Sequence, residues 1–310
     1  KELEFRLARE ESTRLAMLLS GEAHVADLPR ELQKDALKKG MKIYSSSFPV
    51  DWMTVYLGGQ YYLPGDPKFD PKVPWTNKKV RQAMNKVINR PELLKVMYKG
   101  RATPTYVAGF YPDLPGWDPT WEKRFPEMYG YDLKEAKRLL TEAGYPNGKG
   151  LPSIVLGYNT DEEKKLIAEA IQSMWQKHLG VVVRIENQEW KVFLKTLQND
   201  PFPVFRAGWG ADYPDPDNFM KLFTSNSGNN HGRWKNSRYD ELLEIAAREL
   251  DAKKRGKIYD EAQKLLTEID VAIVPLYWKA ESTILSPKFT GLEYNSMARM
   301  DLRNVKNVSK

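Results

Sequence analysis

Residues 154 to 185 carry the pattern that most restricts what this chain can fold into. Ile154 to Leu156 read as a short apolar strand. Leu166, Ile167, Ala170, Ile171, Met174 and Trp175 then recur at helical spacing behind a capping Asp161, and Gly180 stops them. Val181, Val183 and Ile185 alternate afterwards, as in a half-buried strand. Strand, helix and strand at this spacing predict a right-handed βαβ crossover, and so a parallel pair inside an α/β sheet.

The rest of the chain reads consistently with that unit. Residues 12 to 20 predict an amphipathic helix ending at Gly21, and Met41 to Leu57 are strand-like. Residues 58 to 76 (Gly58-Gly59, then four prolines) are punctuated too often for a regular element and suggest a boundary. Val80, Ala83, Met84, Val87 and Ile88 predict a helix stopped by Asn89-Arg90-Pro91. Residues 101 to 130 read as a long aromatic-rich loop. Asp132 and Glu135 form a capping box for a helix that Gly144 closes. A helix through Trp190, Phe193, Leu194 and Leu197 leads to a strand at Val204-Phe205. Helices over 238–250 and 252–268 precede an apolar strand from Val271 to Trp278.

Composition removes several functions. With 310 residues the chain is long enough for two domains. The absence of cysteine excludes thiol catalysis, Cys-based zinc sites and disulfides. A formal charge of +7 invites a nucleic-acid reading, but the basic residues are interleaved with acids, as in Asp161–Lys165 and Asp251–Arg255, and form no phosphate-tracking stripe. His24, His178 and His231 lie far apart without metal-ligand spacing, so neither metal nor cofactor is expected. Gly208-Trp209-Gly210 lacks the third glycine of a dinucleotide loop. No apolar run approaches membrane-span length, and the opening Lys1-Glu2-Leu3-Glu4-Phe5 is no signal peptide.

Gly208 to Phe219 is the most informative segment. Three aspartates, Trp209, Tyr213 and Phe219 stand where a strand ends and a helix begins, the place where open α/β folds bind ligands. An aspartate held there, walled by aromatics and partly desolvated, would receive an ammonium group. Asp215 and Asp217 are read as caps of the following helix, and Asp212 as the functional one. A carboxylate-dependent hydrolase is the rival from another class, but nothing pairs one acid with another across a substrate.

Several stretches resemble the family 5 extracellular solute-binding proteins. These are Asn77–Met84 with Asn89-Arg90, Ala136–Pro146, Gln188-Glu189-Trp190, Arg206–Tyr213, and Arg238-Tyr239-Asp240 with Pro275-Leu276-Tyr277. The resemblance implies a two-lobed α/β clamp of the periplasmic-binding-protein type II, closing over a short peptide that is handed to the permease subunits of an ABC importer. It implies no catalysis, a monomer, and a place in the periplasm or, as a lipoprotein, on the outer face of the cytoplasmic membrane. Asp212 then matches a receptor for the ligand's α-ammonium, Arg206 an arginine that meets a peptide carboxylate, and Trp190 a pocket wall. Trp209, Gly210 and Tyr213 complete the motif. Glu163 and Lys279 occupy places where the nearest oligopeptide binders carry a histidine and a tyrosine beside the ligand, and Leu197 replaces an arginine. Oligosaccharide binding is the alternative within the family. Family chains are longer, so the expected layout is residues 1–73 as the middle of a base lobe, 74–280 as the second lobe and 281–310 as the return. The start of the base lobe and a small extra domain would then be missing.

Overall fold

A computed structural model of the chain describes residues 2–45, 53–59, 62, 65–97, 102–105, 107–108, 114, 120, 123–124, 130–279, 282–294 and 299–309. Most of the expected 101–130 loop lies outside these residues. The chain divides into two compact units, residues 1–52 with 279–310, and residues 53–278.

The first unit opens with α1 (Glu11–Ser20), β1 (Val25–Ala26), α2 (Arg30–Lys38) and β2 (Lys42–Ser45). Gly21 ends α1 at φ 79°, a left-handed turn that favours glycine. Leu18, Leu28 and Ala36 pack with Ile284 as its small core.

The second unit is built on β3 (Met53–Gly59), α3 (Lys78–Lys86), α4 (Arg90–Met97), β4 (Ala102–Pro104), α5 (Leu133–Glu142), β5 (Ile154–Asn159), α6 (Glu162–Leu179), β6 (Val183–Gln188), α7 (Trp190–Asn199), β7 (Val204–Gly210), α8 (Asp217–Met220), α9 (Ser237–Arg248), α10 (Ala252–Lys264) and β8 (Ile273–Lys279). Back in the first unit, β9 (Ser282–Leu285) lies between β1 and β2 and pairs antiparallel with both.

The second unit's six strands run in the order β4-β8-β3-β7-β5-β6. β5 pairs parallel with β6 and with β7, as the βαβ pattern requires. Asp161 caps α6 by accepting the Lys164 N–H at 3.1 Å, and Gly180 closes it at φ 67°. Between them Ile167, Ala168, Ile171, Trp175 and Leu179 form the buried stripe. Trp175 fixes α6 against α3 by donating its Nε1–H to the Met84 carbonyl at 2.9 Å.

The expected domain boundary at residue 73 moves to residue 52, because β3 is a central strand. It pairs antiparallel with β7 on one side and β8 on the other. Gly58-Gly59, read as punctuation, sits inside that strand. A Cβ at Gly58 would run into the Phe205 ring and one at Gly59 into the Trp75 indole, so the glycines are there for close approach.

Two buried arginines knit the helices to the sheet. Arg81 donates to the carbonyls of Trp75 (2.7 Å), Thr76 (2.9 Å) and Asp270 (2.6 and 2.9 Å). Arg90 donates to the Pro275 carbonyl and the Asn85 side chain, both at 2.7 Å.

Candidate ligand-binding site

Because β5, β6 and β7 are parallel, their carboxyl ends share one edge of the sheet. β5 stands where the strand order reverses, the next strand lying on one side and the one after it on the other. A crevice outside such a switch point is where α/β sheets hold ligands. Three junctions leave that edge, and they carry every expected site residue except Lys279.

The first junction joins β5 to α6. Glu163 is half-buried in the first turn. Lys164 beside it is also half-buried, with Nζ 3.6 Å from Asp161. Burial, and next the nearby guanidinium of Arg206, hold its pKa below the usual lysine value. The second junction joins β6 to α7. Glu189 caps α7 by accepting the Lys191 N–H at 2.8 Å, and Trp190 is 54% exposed.

The third junction follows β7. Arg206, in the strand, is only 7% exposed, its Nε is buried without an acceptor, and its side chain makes no ion pair among the described residues. Trp209, half-buried, donates its Nε1–H to Asn218 Oδ1 at 2.8 Å, and the Asp212 N–H reaches the same oxygen at 3.2 Å. One buried asparagine thus clamps the loop that follows Gly210. Tyr213 lies across the loop and donates its hydroxyl to Asp217 Oδ2 at 2.8 Å.

The three aspartates differ in state. Arg255 grips both oxygens of Asp215 at 2.6 and 2.8 Å, and Asp215 also accepts the Asp217 N–H at 2.9 Å; the N-cap position of α8 is nevertheless Pro216, so the expected Asp215 cap is instead a turn contact just before the helix. Asp217 is no cap. It is buried, with the Tyr213 hydroxyl and the Lys221 ammonium (2.7 Å) on one oxygen. Asp212 is exposed, and its carboxylate has no hydrogen bond or ion pair among the described residues. Partial desolvation, expected of Asp212, belongs instead to Asp217, because the loop carries Asp212 outward before α8 folds back. Lys279 is half-buried and belongs to the other compact unit.

Lys164, Asn218 and Arg255 carry no sequence signal that singles them out. Lys164 stands next to the nominated Glu163 in an ordinary charged run. Arg255 lies forty residues from Asp215 and meets it only through the packing of α10 on the loop. Among the described residues, no three His, Asp or Glu side chains gather as metal donors. None of the described helices is long and apolar enough to cross a membrane.

The segment around β7 thus offers one buried cation, Arg206, and one open anion, Asp212. The chain belongs to the bacterial extracellular solute-binding proteins, family 5, whose middle-region model matches residues 1–231. Over 247 residues, 76% of this chain, it is 35% identical to the periplasmic oligopeptide-binding protein OppA of Salmonella typhimurium, covering 43% of that protein. The solved structure of a periplasmic oligopeptide-binding protein from Borrelia burgdorferi superposes with a TM-score of 0.80 at 29% identity, over 98% of this chain and 57% of that one. Haemophilus influenzae OppA, solved in complex with the peptide RPPGFSPFR, gives 0.75 at 27% identity, over 96% of this chain and 57% of that one. The chain therefore spans rather less than half of its curated relative and rather more than half of the solved chains.

Proposed function

We propose that the protein is the substrate-binding component of an ABC importer, that it works outside the cytoplasmic membrane, and that it is not an enzyme. Its guest is a short peptide, held by its free α-ammonium on Asp212 and by its carboxylate on Arg206 and Lys164. One observation carries this reading: among the described residues, Arg206 is a buried guanidinium without an anion, on the same strand-and-loop segment as an aspartate without a cation. A buried charge without a partner is costly, so the fold tolerates Arg206 best where a guest supplies the counter-ion. The fixed pair is complementary to a zwitterion. Asp212 stands six steps along the chain from Arg206, at most about 20 Å at the extended rise, which suits a tri- to pentapeptide. The names of the relatives, oligopeptide-binding proteins, support the same class. Asp215 and Asp217 are each engaged by a cation, which leaves this loop without a free pair of carboxyls to divide the roles of a hydrolase.

Calorimetric titration with Ala-Ala-Ala and its N-acetyl and C-amide forms tests the reading. Each block should weaken binding by about 1.5–3 kcal/mol, the scale of a hydrogen bond to a charged group. Equal affinity for the acetylated peptide removes the role of Asp212. The exposed rings of Trp190 and Tyr213 also suit stacking on a sugar, and a thermal shift with oligosaccharides but not with peptides would favour that ligand instead.

A further inference from the structure

Strand β6 is the outermost strand of the six-stranded sheet, with β5 on one side and, among the described residues, no strand on the other. The register decides which of its backbone groups face outward. The Ile154 N–H donates to the Val182 carbonyl at 2.9 Å and the Thr160 N–H to the Gln188 carbonyl at 2.8 Å, so the even-numbered residues from 182 to 188 turn toward β5. Val183, Ile185 and Asn187 therefore turn their N–H and C=O groups away from the sheet. Gln172 covers the start of this edge by donating its Nε2–H to the Val183 carbonyl at 2.7 Å. From Arg184 to Asn187 the strand is open: Arg184, Glu186 and Asn187 are exposed and Ile185 is half-buried. An open edge is a template for another strand.

The side chains specify which strand fits. Arg184 and Glu186 flank Ile185 and project from the same face, and neither is in an ion pair among the described residues. A second copy rotated about a two-fold axis normal to the sheet at Ile185 brings its β6 antiparallel to the first. Each Ile185 then exchanges both backbone hydrogen bonds with its counterpart. Arg184 of each copy lies directly across from Glu186 of the other, in the non-hydrogen-bonded position where side chains approach to about 5 Å. The Val183 carbonyl keeps a second lone pair for the Asn187 N–H of the other copy. A register shifted by two residues toward the carboxyl end sets Glu186 against Gln188 and Arg184 against Trp190, and the charge match is lost. About Ile185 the edge complements itself in both charge and hydrogen bonding.

We propose that this edge is a self-association surface, on which two copies pair their β6 strands antiparallel about Ile185 and join the sheets of their second units into one. This departs from the monomer that the family resemblance implies. It does not depend on which guest the protein holds. The open stretch is short, so the dimer is weak and reversible.

Sedimentation velocity of the protein over a rising concentration series tests this. The parent should pass from monomer to dimer, and added salt, which screens exposed charges, should weaken the dimer. Glu186→Arg sets like charges across from each other twice and should raise the dimer dissociation constant at least about fivefold. The double variant Arg184→Glu/Glu186→Arg restores both pairs in reverse and should return the constant close to that of the parent. Ile185→Pro removes an outward N–H that the β5 ladder does not use, and should abolish the dimer while the monomer still folds. A parent that stays monomeric up to about 1 mM, a dimer that survives Ile185→Pro, or a double variant no tighter than Glu186→Arg overturns the proposal.

Discussion

Arg81 and Arg206 are both buried arginines of the second unit, and they do opposite things. Arg81 sits where helix α3 meets the start of β8, and three backbone carbonyls accept its N–H groups. Arg206 sits at the carboxyl edge, where its Nε has no acceptor and no carboxylate faces it among the described residues. A guanidinium whose donors are all matched from within strengthens the fold, whereas an unmatched one weakens it and is best explained by a guest. Burial alone would have ranked the two alike.

The contrast breaks most readily through stability. Arg81→Ala strands three carbonyls and should destabilise the protein by at least about 3 kcal/mol in urea denaturation, at about 1–3 kcal/mol for each buried group left unpaired. Arg206→Leu should leave stability unchanged or raise it by about 1 kcal/mol, while tripeptide affinity falls at least tenfold. A large loss of stability in Arg206→Leu would erase the distinction.

The aspartates sharpen it on a smaller scale. Asp215→Ala removes the bidentate partner of Arg255 and an acceptor of the Asp217 N–H, and should cost about 1–2 kcal/mol. Asp212→Ala should change stability by less than about 0.5 kcal/mol, as exposed substitutions do, yet weaken the binding of peptides with free amino ends. Thermal melts with and without Ala-Ala-Ala separate the two effects.

The smallest expected effect is on pH dependence. Lys164 has a folded pKa below its ordinary 10.5, from burial first and then Arg206. Between the two values the unfolded chain binds more protons than the folded one, so this lysine's contribution makes stability rise as pH climbs through that window. Lys164→Met should flatten that rise, measured as urea stability of the variant against the parent over the same pH range. An unchanged slope would mean that the two cations do not share a site.

Local periodicity made much of this fold legible. The β5-α6-β6 crossover, α5 with its Asp132 cap, and the paired helices α9 and α10 fall close to the residues whose spacing predicted them. Long-range pairing was not legible. Met41–Leu57 read as one strand-like stretch, yet β2 and β3 belong to different units, because a strand's pattern shows its faces and not its neighbours. The site was legible in part for the same reason. Arg206, Trp209 and Asp212 lie in one contiguous segment. Lys164 and Arg255 reach that segment only through tertiary packing, and the open state of Asp212 depends on which aspartates found cations elsewhere.

The three junctions at the carboxyl edge begin within a few residues of one another in height, on strands whose pairing owes nothing to them. Guest preference can therefore drift or be redesigned by rewriting a handful of positions at 161–164, 189–190 and 211–213. The hydrogen-bonded platform beneath would remain as it is, so a library confined to those stretches would explore new cargo while most of its members still fold.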